Sequence, residues 1–354
     1  MPTQDQYARY KLRGQADSAE GITGDDFDKL VNAQWFTPTI DRKLLKQFMK
    51  RSDGASLWNY GTWLVLLAAT GIAGYLTWGT WLAVPCFIAY GVLYSTSDHR
   101  AHELSHGTPF KTRWLNDMMY HLAGFMTLHE GHYWRWSHAR HHTHTIIVGL
   151  DPEIAFPRPV RLLFAVLDLF YLRSGLVQIF NICRHATGRI TEAGEHFIPE
   201  QERSKVILAS RIYVLIFAGV IAACIYGQSI LPAMFIVLPR FYGGFMAQIF
   251  NVTQHAGLAE NVHDHRQNTR TFLTNPLFQW LYCNMNYHIE HHIFPMVPYH
   301  ALPGLHEAIR RQCPAPYPSL WAAYKEVLPA LWRQSRDADY TVARPAPQHA
   351  DVNA

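Results

Sequence analysis

The feature that most restricts this chain is an interval of 44 residues, Gly54 to Ser97, without a single Asp, Glu, Lys or Arg. A bilayer core takes about 20 apolar residues per helix, so the interval is long enough for two spans joined at Gly79-Thr80. A second apolar stretch, Ile212 to Ala259, is interrupted only by Arg240 and has a polar break, Gly227-Gln228-Ser229, near its centre. Both stretches read as helical hairpins. The expected fold is all-α: an integral membrane protein with four transmembrane helices at about 57–77, 80–98, 206–226 and 229–250, and a helical cytoplasmic cap.

Polar segments of comparable total length dilute these spans, which is why the mean hydropathy is only −0.09. Residues 1–53 form a polar N-terminal segment with a short amphipathic helix, Arg42 to Met49, behind Pro38 and Asp41. About 50 polar residues precede the first apolar run, so no signal peptide is expected. Residues 54–310 form the membrane domain, and residues 311–354 a C-terminal helix followed by a disordered tail from about Gln334. In the central loop, 99–205, the apolar pieces Met118 to Thr127 and Leu162 to Ile179 are expected to lie along the interface or dip partway into the bilayer.

Neither hairpin turn holds Lys or Arg, whereas Lys46, Lys50, Arg51, Arg100, Lys111, Arg113, Lys205 and Arg266 crowd the outer flanks. The positive-inside tendency then puts both termini and the central loop on the cytoplasmic side of the inner membrane. A net charge of +4 is too small to indicate nucleic acid and suits a surface beside anionic lipid. The five cysteines form no CxxC pair, which excludes a zinc finger or an iron-sulfur site of that pattern.

Histidine placement carries the chemistry. His102 and His106 stand four apart in HELSH; His138, His141 and His142 form HARHH; His288, His291 and His292 form HIEHH. On a helix, residues at i, i+3 and i+4 share a face, so each box aims its imidazoles at one spot. Neutral imidazole suits iron, copper and zinc alike. Eight such ligands exceed what one ion with an open position can use, so two ions are expected. The second and fourth spans emerge on the same side, shortly before His102 and His255, which lets the boxes meet.

Boxes of the form HxxxH, HxxHH and HxxHH, in this order and wide spacing among two hairpins, resemble the membrane fatty acid desaturase and hydroxylase superfamily over about residues 55–310. The run HIEHHIFPMVPYHALPGLH is similar to its third box and follow-on. The resemblance implies a further pair in NVTQH: His255 as a ninth histidine ligand and Asn251 reaching the metal through water. It implies two ferrous ions, dioxygen as co-substrate, and a fatty acyl or lipid substrate that is desaturated or hydroxylated. The first box has three residues between its histidines where animal acyl-CoA desaturases have four. The stretch WRWSHARHHTHTIIVGLDPEI is similar to a bacterial branch that includes the oxygenase component of rhizopine catabolism. That likeness implies O-demethylation of a small methoxy compound as the alternative.

HELSH also fits HExxH, in which Glu103 would be the general base of a zinc metalloprotease, but such a site uses about three protein ligands and leaves two boxes unexplained. Metal transport is the non-enzyme reading; transport sites are expected near the bilayer midplane, and the boxes lie beyond the span ends. Glu103 therefore reads as structural or as a support for the site. Asp98, four residues before His102, is expected to accept that ring's N–H. Arg240, inside a span, is expected either to contact a polar substrate group or to pair internally. His99, His129, His132, His144, His196, His263 and His265 fit no box. The chain shows no dinucleotide fingerprint and no fused haem domain, so electrons are expected from a ferredoxin or Rieske-type partner and its reductase.

Overall fold

The computed structural model describes residues 34–345 and 347. Among these the chain is helical, with isolated β-bridges only, Thr271 to Tyr287 and Phe272 to Tyr317. Helix α1 (Arg42–Phe48) begins at Asp41, whose carboxylate accepts the N–H groups of Lys43 and Leu44.

Helices α2 (Asp53–Leu76) and α3 (Ala83–Ser95) make the first hairpin. Gly71 and Gly74 let α2 lie against the rings of Tyr90 and Phe87; an added Cβ would stand 3.1 and 3.2 Å from them. The turn uses Gly79 at φ +83°, a conformation only glycine adopts freely. Helix α3 leads almost directly into α4 (Ser97–Ser105), which carries the first histidine box. Helix α5 (Arg113–Met126) packs on α4, and α6 (Gly131–Thr143) carries the second box.

Helices α7 (Leu162–Leu169) and α8 (Leu172–Ala186) bend by 78° at Tyr171, which takes φ +57°. The bend is stapled by Asp168, whose carboxylate accepts Ser174 N–H at 2.7 Å and pairs with Arg173. A short helix α9 (Glu192–Phe197) precedes α10 (Glu200–Tyr226), the rising leg of the second hairpin.

The returning leg was expected as one helix over 229–250. It is three: α11 (Leu231–Ile236), α12 (Pro239–Tyr242) and α13 (Gly244–His255). Pro239 has no N–H to continue the ladder, and at Gly243 the chain crosses the first hairpin so closely that an added Cβ would lie 1.9 Å from the carbonyl carbon of Gly91. Tyrosine hydroxyls take up carbonyls around the breaks: Tyr90 donates to Phe235 O (2.9 Å), Tyr94 to Ile236 O (2.6 Å) and Tyr242 to Met234 O (2.8 Å). Each break leaves carbonyls without a helical partner, and these hydroxyls supply one.

Beyond α13 the chain wraps back under the boxes through α14 (His265–Asn268) and α15 (Pro276–Leu281). It then forms α16 (His288–Ile293), which holds the third box, followed by α17 (Leu302–Ile309) and α18 (Leu320–Gln334). The tail expected to be disordered from Gln334 is packed as far as Arg344: Tyr340 O accepts from Arg158 and Gln334, and Val342 N–H donates to Gly257 O. The remainder of that expectation, and residues 1–33, lie outside the described residues.

Among the described residues one helix, α10, is by itself long and apolar enough to cross a membrane, and the bent α7–α8 pair would be a second. Helix α2 has the length, but Asn59, Tyr60 and several glycines lower its average apolarity. Its outer face is nonetheless exposed and apolar at Leu57, Trp58, Val65, Leu66 and Ile72, as is that of α10 at Leu208, Ile212 and Leu215. Contiguous exposed apolar surface of this kind marks a lipid or partner contact. Two of the flanking cations do not face outward. Arg100 is fully buried over the Trp63 and Trp280 rings, with its guanidinium donating to Asn59 and Thr96, and Arg266 pairs with Asp264.

Candidate metal centre

Four helices converge below the hairpins; three place their histidines at i, i+3 or i+4 and the fourth, α13, supplies His255 alone. Ligand nitrogens of His102, His106, His138, His142 and His291 lie within 4.8 Å of one another; those of His141, His255 and His292 form a second group under the same limit. His288 stands beside the second group, its Nε2 3.2 Å from that of His292 and its ring centroid 5.0 Å from His255. All nine histidines singled out in the sequence are thus brought together, His255 from the end of α13.

What orients four of them is the other ring nitrogen. His138 Nδ1 donates to Glu153 (2.9 Å), His141 Nδ1 to Asp151 (2.8 Å) and His255 Nδ1 to the carbonyl of Asn268 (2.8 Å). Thr145 gives its hydroxyl proton to His141 O, so its oxygen is left to accept from His292 Nδ1 at 3.1 Å. Each bond holds the proton on Nδ1 and turns an Nε2 lone pair inward, the usual arrangement around a metal-bound histidine. Lone pairs then face one another at short range: His138 Nε2 is 3.2 Å from His106 Nε2 and 3.1 Å from His142 Nε2. His255 Nε2 is buried with no hydrogen-bond partner. Converging lone pairs and an orphaned buried nitrogen are what a cation would relieve, so the residues fit a metal in each group.

Protonation agrees. Burial first, then the neighbouring imidazoles, holds His102, His138, His142, His288, His291 and His292 well below the ordinary histidine range, and His106 is brought to about 3. These rings are neutral at pH 7, as ligands must be. At His141 burial acts in the same sense, but the Asp151 carboxylate outweighs it and the net shift is upward.

The supporting residues differ from expectation. Asp98 does not reach His102: its carboxylate takes Arg240 at 2.7 Å and Asn251 Nδ2 at 2.9 Å, and lies 3.9 Å from His129. Arg240, buried, spends its guanidinium on Asp98 and Ser95 O and stacks over Tyr171, so the internal pairing holds and a free substrate contact does not. Asn251 sits in the same network, its Oδ1 3.1 Å from His99 Nε2. His99, buried, and His129, half-buried, fit no box and are neighbours of the site. Glu103 faces away from the imidazoles and accepts from Thr108 Oγ1 and Tyr299 N–H; burial, opposed by those two bonds, pushes it up to about 7. It ties the first-box helix to the segment after the third box, and a protease general base would have to face the metal. Asp151 and Glu153, which hold His141 and His138, lie outside the site residues expected from the sequence. An acidic pair closely following a histidine box was the available signal.

A cavity of about 470 Å³ adjoins both groups, bordered by His102, His138, His141 and His255 on one side and by Asn251, Tyr171 and the bent α7–α8 pair on the others.

The sequence profile of the fatty acid desaturase family matches residues 79–324, more than half of the chain. A probable fatty acid desaturase of Sorghum bicolor is 24% identical over 71% of this chain and 69% of its own length. An alkane 1-monooxygenase of Acinetobacter baylyi is 23% identical over 90% of this chain and 71% of its own. A ferredoxin-type sn-1 acyl-lipid omega-3 desaturase of Nostoc is 22% identical over 82% and 80%.

Proposed function

The chain belongs to the fatty acid desaturase family, and from that premise we propose that it is a membrane-bound, O2-dependent diiron oxidoreductase acting on unactivated C–H bonds. The reading rests on one observation above all: two adjoining sets of buried or half-buried imidazoles whose ring nitrogens converge, with the Nδ1 of His138, His141, His255 and His292 anchored by neighbouring oxygens. His102, His106, His138, His142 and His291 would hold one iron; His141, His255, His288 and His292 would hold the other, with Asn251 reaching it through water. Iron supplies the oxidising power that no side chain has. The protein contributes orientation: Glu153, Asp151, Thr145 and Asn268 fix the ligand tautomers, and the cavity presents a substrate to both sets.

Hydroxylation consumes O2, two electrons and two protons and yields alcohol and water. Desaturation uses the same inputs and yields an alkene and two waters. Hydroxylation beside an ether oxygen gives a hemiacetal that releases formaldehyde, the O-demethylation alternative. Similarity to acyl desaturases and an alkane monooxygenase supports the first two outcomes. A ferredoxin or Rieske-type protein with its reductase would supply electrons from the cytoplasmic side of the inner membrane, where we place both termini, the boxes and the central loop. The exposed apolar faces support two membrane hairpins, their four legs being α2, α3, α10 and the broken α11–α13.

Metal analysis of purified protein alongside reductant-dependent O2 consumption tests the core of this reading. Close to two irons per chain are expected in active enzyme, with zinc as a substitute on overexpression. Full activity with one tightly held metal would refute the two-ion assignment.

A further inference from the structure

The cavity beside the metal centre has a mixed lining: Trp134, Ile154, Phe156, Val252 and Leu258 give it apolar walls, and the side formed by α8 is polar. Its carboxylates and guanidinium groups are already matched: Asp98 with Arg240, Asp168 with Arg173, Arg158 with Glu260 at 3.0 Å, and Glu153 with Ser137 and His138. Of these, Glu153 has neutral partners, but both its oxygens are engaged, so no unengaged charged group is left to select an anion or a cation.

Three carboxamides are left over. Gln178 and Asn181 on α8 and Gln248 on α13 line the cavity, are partly buried, and have no intramolecular hydrogen-bond partner among the described residues. Ser174, Gln178 and Asn181 form a polar stripe at i, i+4 and i+7 along α8, whereas Leu172, Leu176 and Phe180 of the same helix are exposed apolar residues. A helix that turns apolar residues outward and carboxamides toward the reaction chamber is arranged for a polar occupant. An alkyl chain packed there would strip water from these amides and return no hydrogen bond, which is unfavourable. A carboxamide both donates and accepts, as a hydroxyl does.

We propose that this cavity recognises a neutral, hydroxyl-rich group rather than a hydrocarbon tail, with Gln178, Asn181 and Gln248 as its hydrogen-bonding partners. The proposal rests on the diiron reading for the identity of the adjoining site. The group could be a free polyol-type molecule or the head of a neutral glycolipid, since both present the same hydroxyls.

The test uses the full iron-loaded chain in detergent and calorimetric titration with methyl β-galactoside, monogalactosyl diacylglycerol and stearic acid. Saturable binding of the methyl glycoside supports a free substrate; binding of the glycolipid alone supports a lipid-borne head. In either case Gln178→Leu/Asn181→Leu/Gln248→Leu should weaken binding at least tenfold, and Asn181→Leu alone serves if the triple variant does not fold. Stearate bound by the native chain with unchanged or greater affinity in the variant overturns the proposal, as does failure of both galactosides to bind. Iron counted in the same samples separates the two levels: two irons with stearate bound sinks only the substrate assignment, whereas absence of iron sinks the diiron reading.

Discussion

The two hairpins look alike as sequence and differ as structure. The first is two unbroken legs, α2 and α3, held by rings lying on Gly71 and Gly74. The second has one straight leg, α10, and one in three pieces, and it is the broken leg that delivers Arg240, Asn251 and His255. A straight helix shows each residue at a fixed angle; the breaks at Pro239 and Gly243 let the last piece be aimed separately at the boxes. Regularity serves the packing of the hairpins, and interruption serves the site.

The largest effect on this contrast is expected at the crossing of the two hairpins. Gly243→Ala places a Cβ 1.9 Å from the Gly91 backbone and should abolish folded protein, whereas Gly61→Ala in α2 meets nothing within 4 Å. That second substitution should be neutral or stabilising by about 0.5–1 kcal/mol. Detergent-resistant, monodisperse yield measures both, and normal yield from Gly243→Ala would show that the crossing is looser than described.

Next comes the end of the broken leg. His255→Ala should lower iron content and abolish turnover, while Asn251→Ala should keep the iron and lose most turnover. Unchanged iron and full activity in His255→Ala would reduce the nine-histidine set to eight.

Midway along, Asp98→Ala leaves Arg240 as a buried cation without its carboxylate and should cost about 3–5 kcal/mol in thermal unfolding. A loss below 1 kcal/mol would mean that water reaches the guanidinium.

Smallest is the bond around the break. Tyr94→Phe strands Ile236 O and should cost about 1 kcal/mol. Thr70→Val, which removes only a hydroxyl bonded to Leu66 O within α2, should change stability by less than about 0.5 kcal/mol. Equal effects at the two positions would erase the distinction between the legs.

Histidine spacing is a local property, so the boxes were legible from the sequence, and the first hairpin was as well. Pro239 and Gly243-Gly244 announced the breaks, but hydropathy averages over such positions and returns one long span. The partners of Asp98 were not legible: Arg240 and Asn251 stand 142 and 153 residues away. Spacing to His102 suggested a bond that the tertiary fold spends elsewhere. The C-terminal segment failed for a similar reason. Its polar composition says nothing of the carbonyls of Tyr340 and Gly257, which find their partners only once the chain has returned to the core.

One consequence concerns the order of synthesis. The five-imidazole group joins His102 to His291, which are 189 residues apart. At about 5–20 residues per second, on the order of ten to forty seconds pass between the two emerging from the ribosome. For the part of that interval after His142 has been made, the group has four of its five imidazoles and lacks the fifth. The last imidazole of this group is therefore supplied only when most of the chain has been made, so the group closes late in synthesis.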